Sequence, residues 1–146
     1  MRIGSDRRNA AIDPPFEVLA PAEQTLPFIF SSPHSGRVYP KAFLQATRLD
    51  GTAIRRSEDS FVDEIVGAAP SLGAPLLKAH FPRAFVDPNR EAYELDQAMF
   101  DSPLPHYVNT RSPRVLAGLG TIARVVRDGA ERSKQSLTAK VSQALR

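Results

Sequence analysis

Residues 26–36 read LPFIFSSPHSG and contain the first core element that the sequence predicts. Its apolar run, with aromatic and β-branched side chains, predicts a buried β-strand over residues 26–32. The Pro-His-Ser-Gly turn at residues 33–36 ends that strand abruptly. Because open α/β sheets place their chemistry at the carboxyl ends of strands, we expect a functional site at this turn.

The segments after the turn predict helices and then a second strand. Pro40 is suited to begin a helix over residues 41–49. A second helix is predicted from the serines of Ser57–Ser60 to Ala69, because carboxylates crowd its first turn and apolar residues recur at helical spacing. Residues 76–81 predict a strand, so the order strand, helix, helix, strand indicates an α/β fold with a right-handed crossover.

The rest of the chain shows weaker patterns. Phe81–Val86 either continues the second strand past a bulge or forms a third. Residues 87–113 form a long, proline-spaced polar loop, which we expect to be functional. Val125–Val126 is a strand candidate, and residues 133–146 predict a weakly amphipathic helix.

Size and composition exclude several classes of protein. The 146 residues suffice for one modest domain, and 42% hydrophobic and 24% charged residues are ordinary for a globular chain. The absence of cysteine excludes disulfide scaffolds, thiolate zinc sites and cysteine nucleophiles, so any metal must be held by histidine and carboxylates. A net charge of +3 without a basic run argues against nucleic-acid binding. No stretch resembles a membrane span or signal peptide, so we expect a cytoplasmic protein without a membrane partner.

His34 is the most informative of the three histidines. Its ring could bind zinc from a rigid strand end, with Gly36 allowing close approach of a substrate or of backbone. The competing interpretation is a histidine that forms hydrogen bonds only within its turn. His80 or His106 could complete a metal site, although the first lies in an apolar strand and the second in the proline-rich loop.

Glu58 and Asp59 are the candidate carboxylate ligands. Mixed histidine and carboxylate ligation with one open position is typical of hydrolytic zinc sites. Both acids could instead serve only to complement the dipole of the helix that starts there.

Asn89 and Arg90 follow a strand and a proline turn. A guanidinium binds carboxylates in bidentate fashion, so the pair is a candidate clamp for a substrate carboxylate. A surface ion pair of Arg90 with Glu91 or Glu94 is the alternative. The same donor chemistry recurs further along the chain, at Asn109, Arg111 and Arg114.

Four stretches of sequence, taken in order, closely resemble the N-formylglutamate amidohydrolase family. They are FIFSSPHSGRVYP at residues 28–40, RRSEDSFVDEI at 55–65, APLLKAHFPRAFVDPNREAYELDQAMF at 74–100 and NTRSPRVLAGLGTIARVV at 109–126. The resemblance covers about residues 26–130, which we treat as the domain, with residues 1–25 as an N-terminal arm and 131–146 as a divergent helical tail.

The resemblance implies a fold and an activity. The fold would be α/β, a mixed sheet flanked by helices, in an incomplete version of the zinc carboxypeptidase and aspartoacylase (phosphorylase/hydrolase-like) architecture. The activity would be that of a hydrolase dependent on Zn²⁺ and acting on a small N-acyl acidic amino acid. Family members cleave N-formyl-L-glutamate to formate and L-glutamate, a step of histidine catabolism.

The resemblance also implies roles for individual residues. His34 would be a zinc ligand, and an acid of the pair Glu58 and Asp59, above all Asp59, would be a second. The substrate-binding residues would be Asn89 and Arg90, which hold the substrate carboxylate, together with Arg114 and Arg124, which lie in matching stretches.

The chain departs from the family pattern at two places. Pro88 stands where relatives tend to have an apolar residue. Family members run about as far again beyond residue 130, and that half is expected to bring another zinc-binding histidine and the catalytic carboxylate, so no catalytic residue is assigned. A shortened N-terminal portion would expose an apolar sheet edge and self-associate through it. The alternative function is therefore a non-catalytic fragment that keeps a carboxylate-binding or interaction surface.

Overall fold

The structure, a computed structural model, describes residues 12–126 and the backbone of residues 130–131. The chain divides into two compact units, which are described here one at a time. The first comprises the residues up to Gln45 together with Glu58–Arg83. The second comprises Ala46–Ser57 together with the residues from Ala84 onward.

The first unit contains a three-stranded mixed sheet. Its strands are β1 (Phe16–Leu19), β2 (Phe30–Ser32) and β3 (Leu76–Ala79), in the order β1-β3-β2. The central strand β3 runs antiparallel to β1 and parallel to β2. The parallel pair confirms the crossover type of connection between residues 32 and 76, since parallel neighbours cannot be joined by a hairpin.

The predicted buried strand over residues 26–32 is wrong in length and in burial. Strand β2 has three residues, and the side chains of Phe28, Ile29 and Phe30 are 51%, 66% and 37% exposed. Phe28 and Ile29 lie before the first residue of β2, and β2 itself pairs with β3 alone among the described strands. The sequence analysis also did not predict β1. A strand of four residues among prolines is too short to show a clear alternation of apolar and polar side chains.

The helices of the first unit are shorter than predicted. Helix α1 (Lys41–Ala46) follows Pro40 as expected. The predicted helix from Ser57–Ser60 to Ala69 is wrong, since only α2 (Val62–Ile65) forms, and neither serine caps it. Phe61 precedes α2 in the left-handed region, with φ of 65°, and this conformation prevents the helix from starting earlier.

A small apolar core supports the sheet. Ala69, Ala74 and Leu76 are buried and pack with the partly buried Leu19, Leu26 and Val66. A 3₁₀ turn over Ala69–Leu72 delivers the chain into β3. The core therefore holds β3 from the amino-terminal side and leaves the opposite end of the sheet for the site described below.

The second unit has little regular structure. Its elements are 3₁₀ turns at Ala53–Ser57 and Gln97–Met99, helix α3 (Pro113–Leu116), and the short strands β4 (Val125–Val126) and β5 (Ala130–Glu131), which pair antiparallel. Ser112 caps α3 by accepting a hydrogen bond from the N–H of Val115, with Pro113 at the first helical position.

Several sequence predictions bear on this unit and its borders. The strand at Val125–Val126 is confirmed. Residues 81–86 form turns, so both alternatives for a strand there are wrong. The turn predicted at Asp128-Gly129 and the helix predicted over residues 133–146 lie outside the described residues.

Residues 12–126 contain no helix of the length and apolarity needed to cross a bilayer.

Candidate active site

His34 lies directly after β2 and is buried, with 6% of its surface exposed. Asp59 comes to it from 25 positions further along the chain, and its side chain is about half exposed. Atom Nδ1 of His34 lies 3.3 Å from Oδ2 of Asp59. The structure therefore brings together the two residues that the resemblance names as metal ligands.

Backbone and hydroxyl hydrogen bonds hold this pair in place. The N–H of Asp59 donates to the carbonyl of His34 at 3.1 Å, and the Ser35 hydroxyl donates to the carbonyl of Asp59 at 2.7 Å. The Ser35 oxygen accepts from the Ser32 hydroxyl at 2.8 Å and from the N–H of Asp63 at 3.3 Å. Asp59 is thus fixed against the His34 turn through both polar groups of its backbone.

Gly36 allows the turn to lie against the end of β3. A Cβ atom at this position would come within 2.0 Å of the Phe81 carbonyl oxygen and 2.6 Å of the His80 carbonyl carbon. Both contacts are to backbone, so no side-chain movement could relieve them. The close approach for which the sequence suggested a glycine is an approach to the protein's own backbone.

Arg37 links the same turn to α2. Its guanidinium donates to Asp63 and Glu64 at 3.0 Å each and lies 5.2 Å from the centre of the Phe61 ring. The hydrogen bond to Glu64, followed by the charge of Asp63, raises the pKa of Arg37 above its usual value. These contacts account for the position of α2 beside the His34 turn.

Glu58, the other predicted ligand, lies next to this pair in sequence but has a different partner. Its carboxylate accepts a hydrogen bond of 2.5 Å from the hydroxyl of Tyr39, whose ring stacks on Phe43 with centroids 6.2 Å apart. Sequence reasoning missed Tyr39 and Ser35, since an isolated hydroxyl carries no signal until the fold places its partner.

The distance between the ring nitrogen and the carboxylate oxygen tests whether zinc fits. Two donor atoms about 2.1 Å from a tetrahedral zinc ion lie about 3.4 Å apart, close to the spacing of the His34 and Asp59 donor atoms. A charge-assisted N–H···O bond is usually about 2.7–2.9 Å long. The pair therefore fits two positions of a zinc coordination sphere, whereas residues 12–126 hold no group of three His, Asp or Glu side chains placed for a metal.

His80, the second histidine, forms its contacts within the first unit. Atom Nδ1 of His80 lies 2.9 Å from the carbonyl oxygen of Pro14, and atom Nε2 lies 3.2 Å from the Glu17 carboxylate. Hydrogen bonds from Lys78 first and His80 second lower the pKa of Glu17 below its usual value. His80 therefore joins β3 to β1.

His106 belongs to the second unit, where it is exposed and packs edge to face on Tyr107. It lines an open groove of about 370 Å³, whose other polar side chains include those of Gln97, Asn109 and Arg111.

Arg90, in the second unit, is held by its own surroundings. Its Nε donates to the carbonyl of Leu119 at 3.0 Å and Nη1 to the carbonyl of Asn89 at 2.8 Å. Nη2 lies 3.4 Å from the carboxylate of Asp87, and the side chain is 12% exposed. The sequence pointed to Glu91 or Glu94 as an ion-pair partner, whereas the structure pairs Arg90 with Asp87.

Arg124 and Arg114 differ in whether the guanidinium group forms an ion pair with a described residue. Arg124 donates from Nε to Asp96 at 2.7 Å. Arg114 is exposed near the start of α3, and its guanidinium has no hydrogen bond or ion pair with the residues that the structure describes. Asn89 is also exposed, with its backbone N–H on Asp87. Arg114 is thus the predicted carboxylate-binding arginine that is most available to a ligand.

Comparisons with known proteins agree on a family. The family model for N-formylglutamate amidohydrolase matches residues 26–146, and so continues through the segment that the sequence analysis set apart as a tail. A crystal structure of N-formylglutamate amidohydrolase from Ralstonia eutropha JMP134 is 32% identical in sequence, with a TM-score of 0.77. The match covers 90% of this chain and 46% of that one, so the chain spans about half the length of this solved relative. No curated protein sequence matches the chain.

Proposed function

The chain belongs to the N-formylglutamate amidohydrolase family, and from that premise we propose that it serves in zinc-dependent hydrolysis of a small N-acyl acidic amino acid. N-Formyl-L-glutamate is the substrate we propose, with formate and L-glutamate as products in histidine catabolism. We also propose that the fold has the zinc carboxypeptidase-like architecture. We propose a cytoplasmic location for the protein.

The observation that carries the proposal is the approach of His34 to Asp59. Their donor atoms have the spacing of neighbouring ligands on zinc, and hydrogen bonds fix the Asp59 backbone to the His34 turn. Bound there, zinc would supply a water of lowered pKa and polarise the carbonyl oxygen of the amide. A catalytic zinc site needs a third protein ligand, and Glu58, the neighbour of Asp59 in sequence, is the further carboxylate that we propose.

The substrate carboxylate requires a cation that is not already neutralised. Arg114 meets this requirement, because its exposed guanidinium has no partner within the described part of the chain. Arg90 and Arg124 carry ion pairs with Asp87 and Asp96, so their charges are already compensated within the protein. Asn89, exposed beside Arg90, contributes an amide donor.

The experiment that tests the proposal is formate release from N-formyl-L-glutamate by the purified chain. It is run with added zinc, with a chelator, and with the variants His34→Ala and His106→Ala. We expect turnover that the chelator and His34→Ala abolish and that His106→Ala preserves, since His106 is an exposed histidine of the second unit. Turnover that persists in the His34 variant contradicts the proposal.

A second candidate function is carboxylate binding without turnover. It is favoured by the exposed guanidinium groups of Arg111 and Arg114 and by the lack of a three-donor metal group between residues 12 and 126. Binding of N-formyl-L-glutamate to a folded, zinc-loaded sample that releases no formate would establish this function instead.

A further inference from the structure

We infer that Ser35 is a positioning residue: its buried hydroxyl clamps Asp59 against His34, so that the two donor atoms are spaced for a metal before one binds. This inference rests on the proposed function for its zinc readout alone. The hydrogen bonds that hold the arrangement are all formed by this chain's own residues.

The hydroxyl of Ser35 uses its full hydrogen-bonding capacity. A serine hydroxyl has one hydrogen to donate and two lone pairs to accept with. Ser35 donates to the Asp59 carbonyl at 2.7 Å and accepts from Ser32 at 2.8 Å and from the N–H of Asp63 at 3.3 Å. Ser35 and Ser32 are 2% and 1% exposed, so water does not replace a lost partner easily.

The position of Asp59 explains why this clamp is needed. Its side chain is about half exposed. Its backbone, however, is held by two consecutive residues of the turn, because His34 accepts from its N–H and Ser35 donates to its carbonyl. Loss of the Ser35 hydroxyl leaves the Asp59 backbone held to the turn through its N–H alone, since the other hydrogen bond to its carbonyl comes from the N–H of Val62 in its own segment.

The distinguishing experiment compares four variants in two measurements. The variants are Ser35→Ala, Ser35→Thr as the conservative rescue, Ser31→Ala as a matched control on the exposed face of β2, and Leu26→Ala as a control that weakens the core of the same unit. The first measurement is the NMR signal of the His34 ring nitrogens in metal-free protein at one fixed pH. The second is the affinity for zinc, measured by titration with the metal alone.

We expect Ser35→Ala to shift the His34 ring signals and to lower zinc affinity about 10- to 100-fold, the usual effect of removing a group that orients a metal ligand. Ser35→Thr restores both, and Ser31→Ala changes neither. Leu26→Ala lowers the melting temperature while the His34 signals stay in place.

Two outcomes overturn the inference. One is a Ser35→Ala protein with wild-type His34 signals, and the other is a Leu26→Ala protein whose His34 signals move as far as those of Ser35→Ala. If the signals respond to Ser35 alone but the wild-type chain takes up no zinc, Ser35 is confirmed as the positioning residue and the zinc-dependent function is what fails.

Discussion

The N–H of Asp59 donates to the carbonyl of His34 at 3.1 Å, and the side chains of the same two residues meet at 3.3 Å. A residue joined to its partner through both backbone and side chain has little freedom to turn away. Preorganisation of this kind lowers the entropy lost when a metal or substrate binds. It also explains why the helix predicted across this segment does not form, since the backbone of Asp59 is bonded to the turn and Phe61 is left-handed.

The Gly36→Ala substitution should destabilise the first unit. The new Cβ would meet the backbone of His80 and Phe81, so the turn must move away from the end of β3. We expect a loss of about 1–3 kcal/mol in the free energy of unfolding, the usual cost of overpacking. The matched control is Gly51→Ala, where a Cβ meets nothing within 4 Å. Equal stability of the two variants in urea unfolding would contradict the close backbone approach.

Arg90→Lys and Arg114→Gln should separate stability from ligand binding. A lysine at position 90 keeps a charge near Asp87 but loses the hydrogen bonds to the carbonyls of Leu119 and Asn89, so we expect about 1–3 kcal/mol lower stability. Arg114→Gln should leave stability unchanged and weaken binding of N-formyl-L-glutamate by about tenfold or more, measured by calorimetry. The reverse pattern would show that Arg90 is the carboxylate clamp.

Glu17→Gln should change how stability depends on pH. The pKa of Glu17 is lowered by Lys78 and then by His80, so ionised Glu17 stabilises the folded chain above its ordinary pKa of 4.5. That contribution is lost as pH falls below 4.5 and through the lowered folded value. The variant should therefore melt below wild type near neutrality and converge with it in acid, an effect that salt reduces because the Glu17 side chain is partly exposed to solvent.

The control for this experiment is Glu23→Gln, which removes an exposed acid that forms no ion pair with the residues between 12 and 126. Its melting temperature should follow the wild-type pH profile. A Glu17→Gln profile parallel to that of wild type over the whole acid range would show that the contacts with Lys78 and His80 add nothing.

Self-association is expected through the edge of β2 that no strand of the described residues covers. Ile29, immediately before β2, is 66% exposed, and the neighbouring Phe28 is 51% exposed. Exposed apolar edges of sheets pair with other chains, so a second copy is the partner we propose. Ile29→Lys should lower the fraction of dimer in sedimentation velocity, whereas Ile65→Lys, at an even more exposed position on α2, should not. Equal effects of both variants would point to nonspecific association.

Some features could be predicted from sequence because their signals are local. Pro40 predicts α1 through its fixed φ, and the apolar pair Val125–Val126 predicts β4. The ordered family stretches around His34 and Arg90 predict the family, which the comparisons show. These signals need no knowledge of which distant residues meet.

Other features depend on contacts that a linear pattern does not carry. The exposure of Phe30 follows from the edge position of β2, and the engagement of Arg90 follows from Asp87 and the Leu119 carbonyl, which is 29 positions away. The role inferred for Ser35 depends on three partners, two of them in the segment around Asp59. Such roles are read only from the folded chain.

The measurement that tests the central claim most directly is titration of zinc into the metal-free chain, with wild type and His34→Ala side by side. We predict that wild type binds one zinc ion saturably. His34→Ala should lose that binding while its circular dichroism spectrum shows that it is still folded. Zinc uptake of equal affinity and stoichiometry in both proteins would contradict the claim that His34 and Asp59 hold the metal.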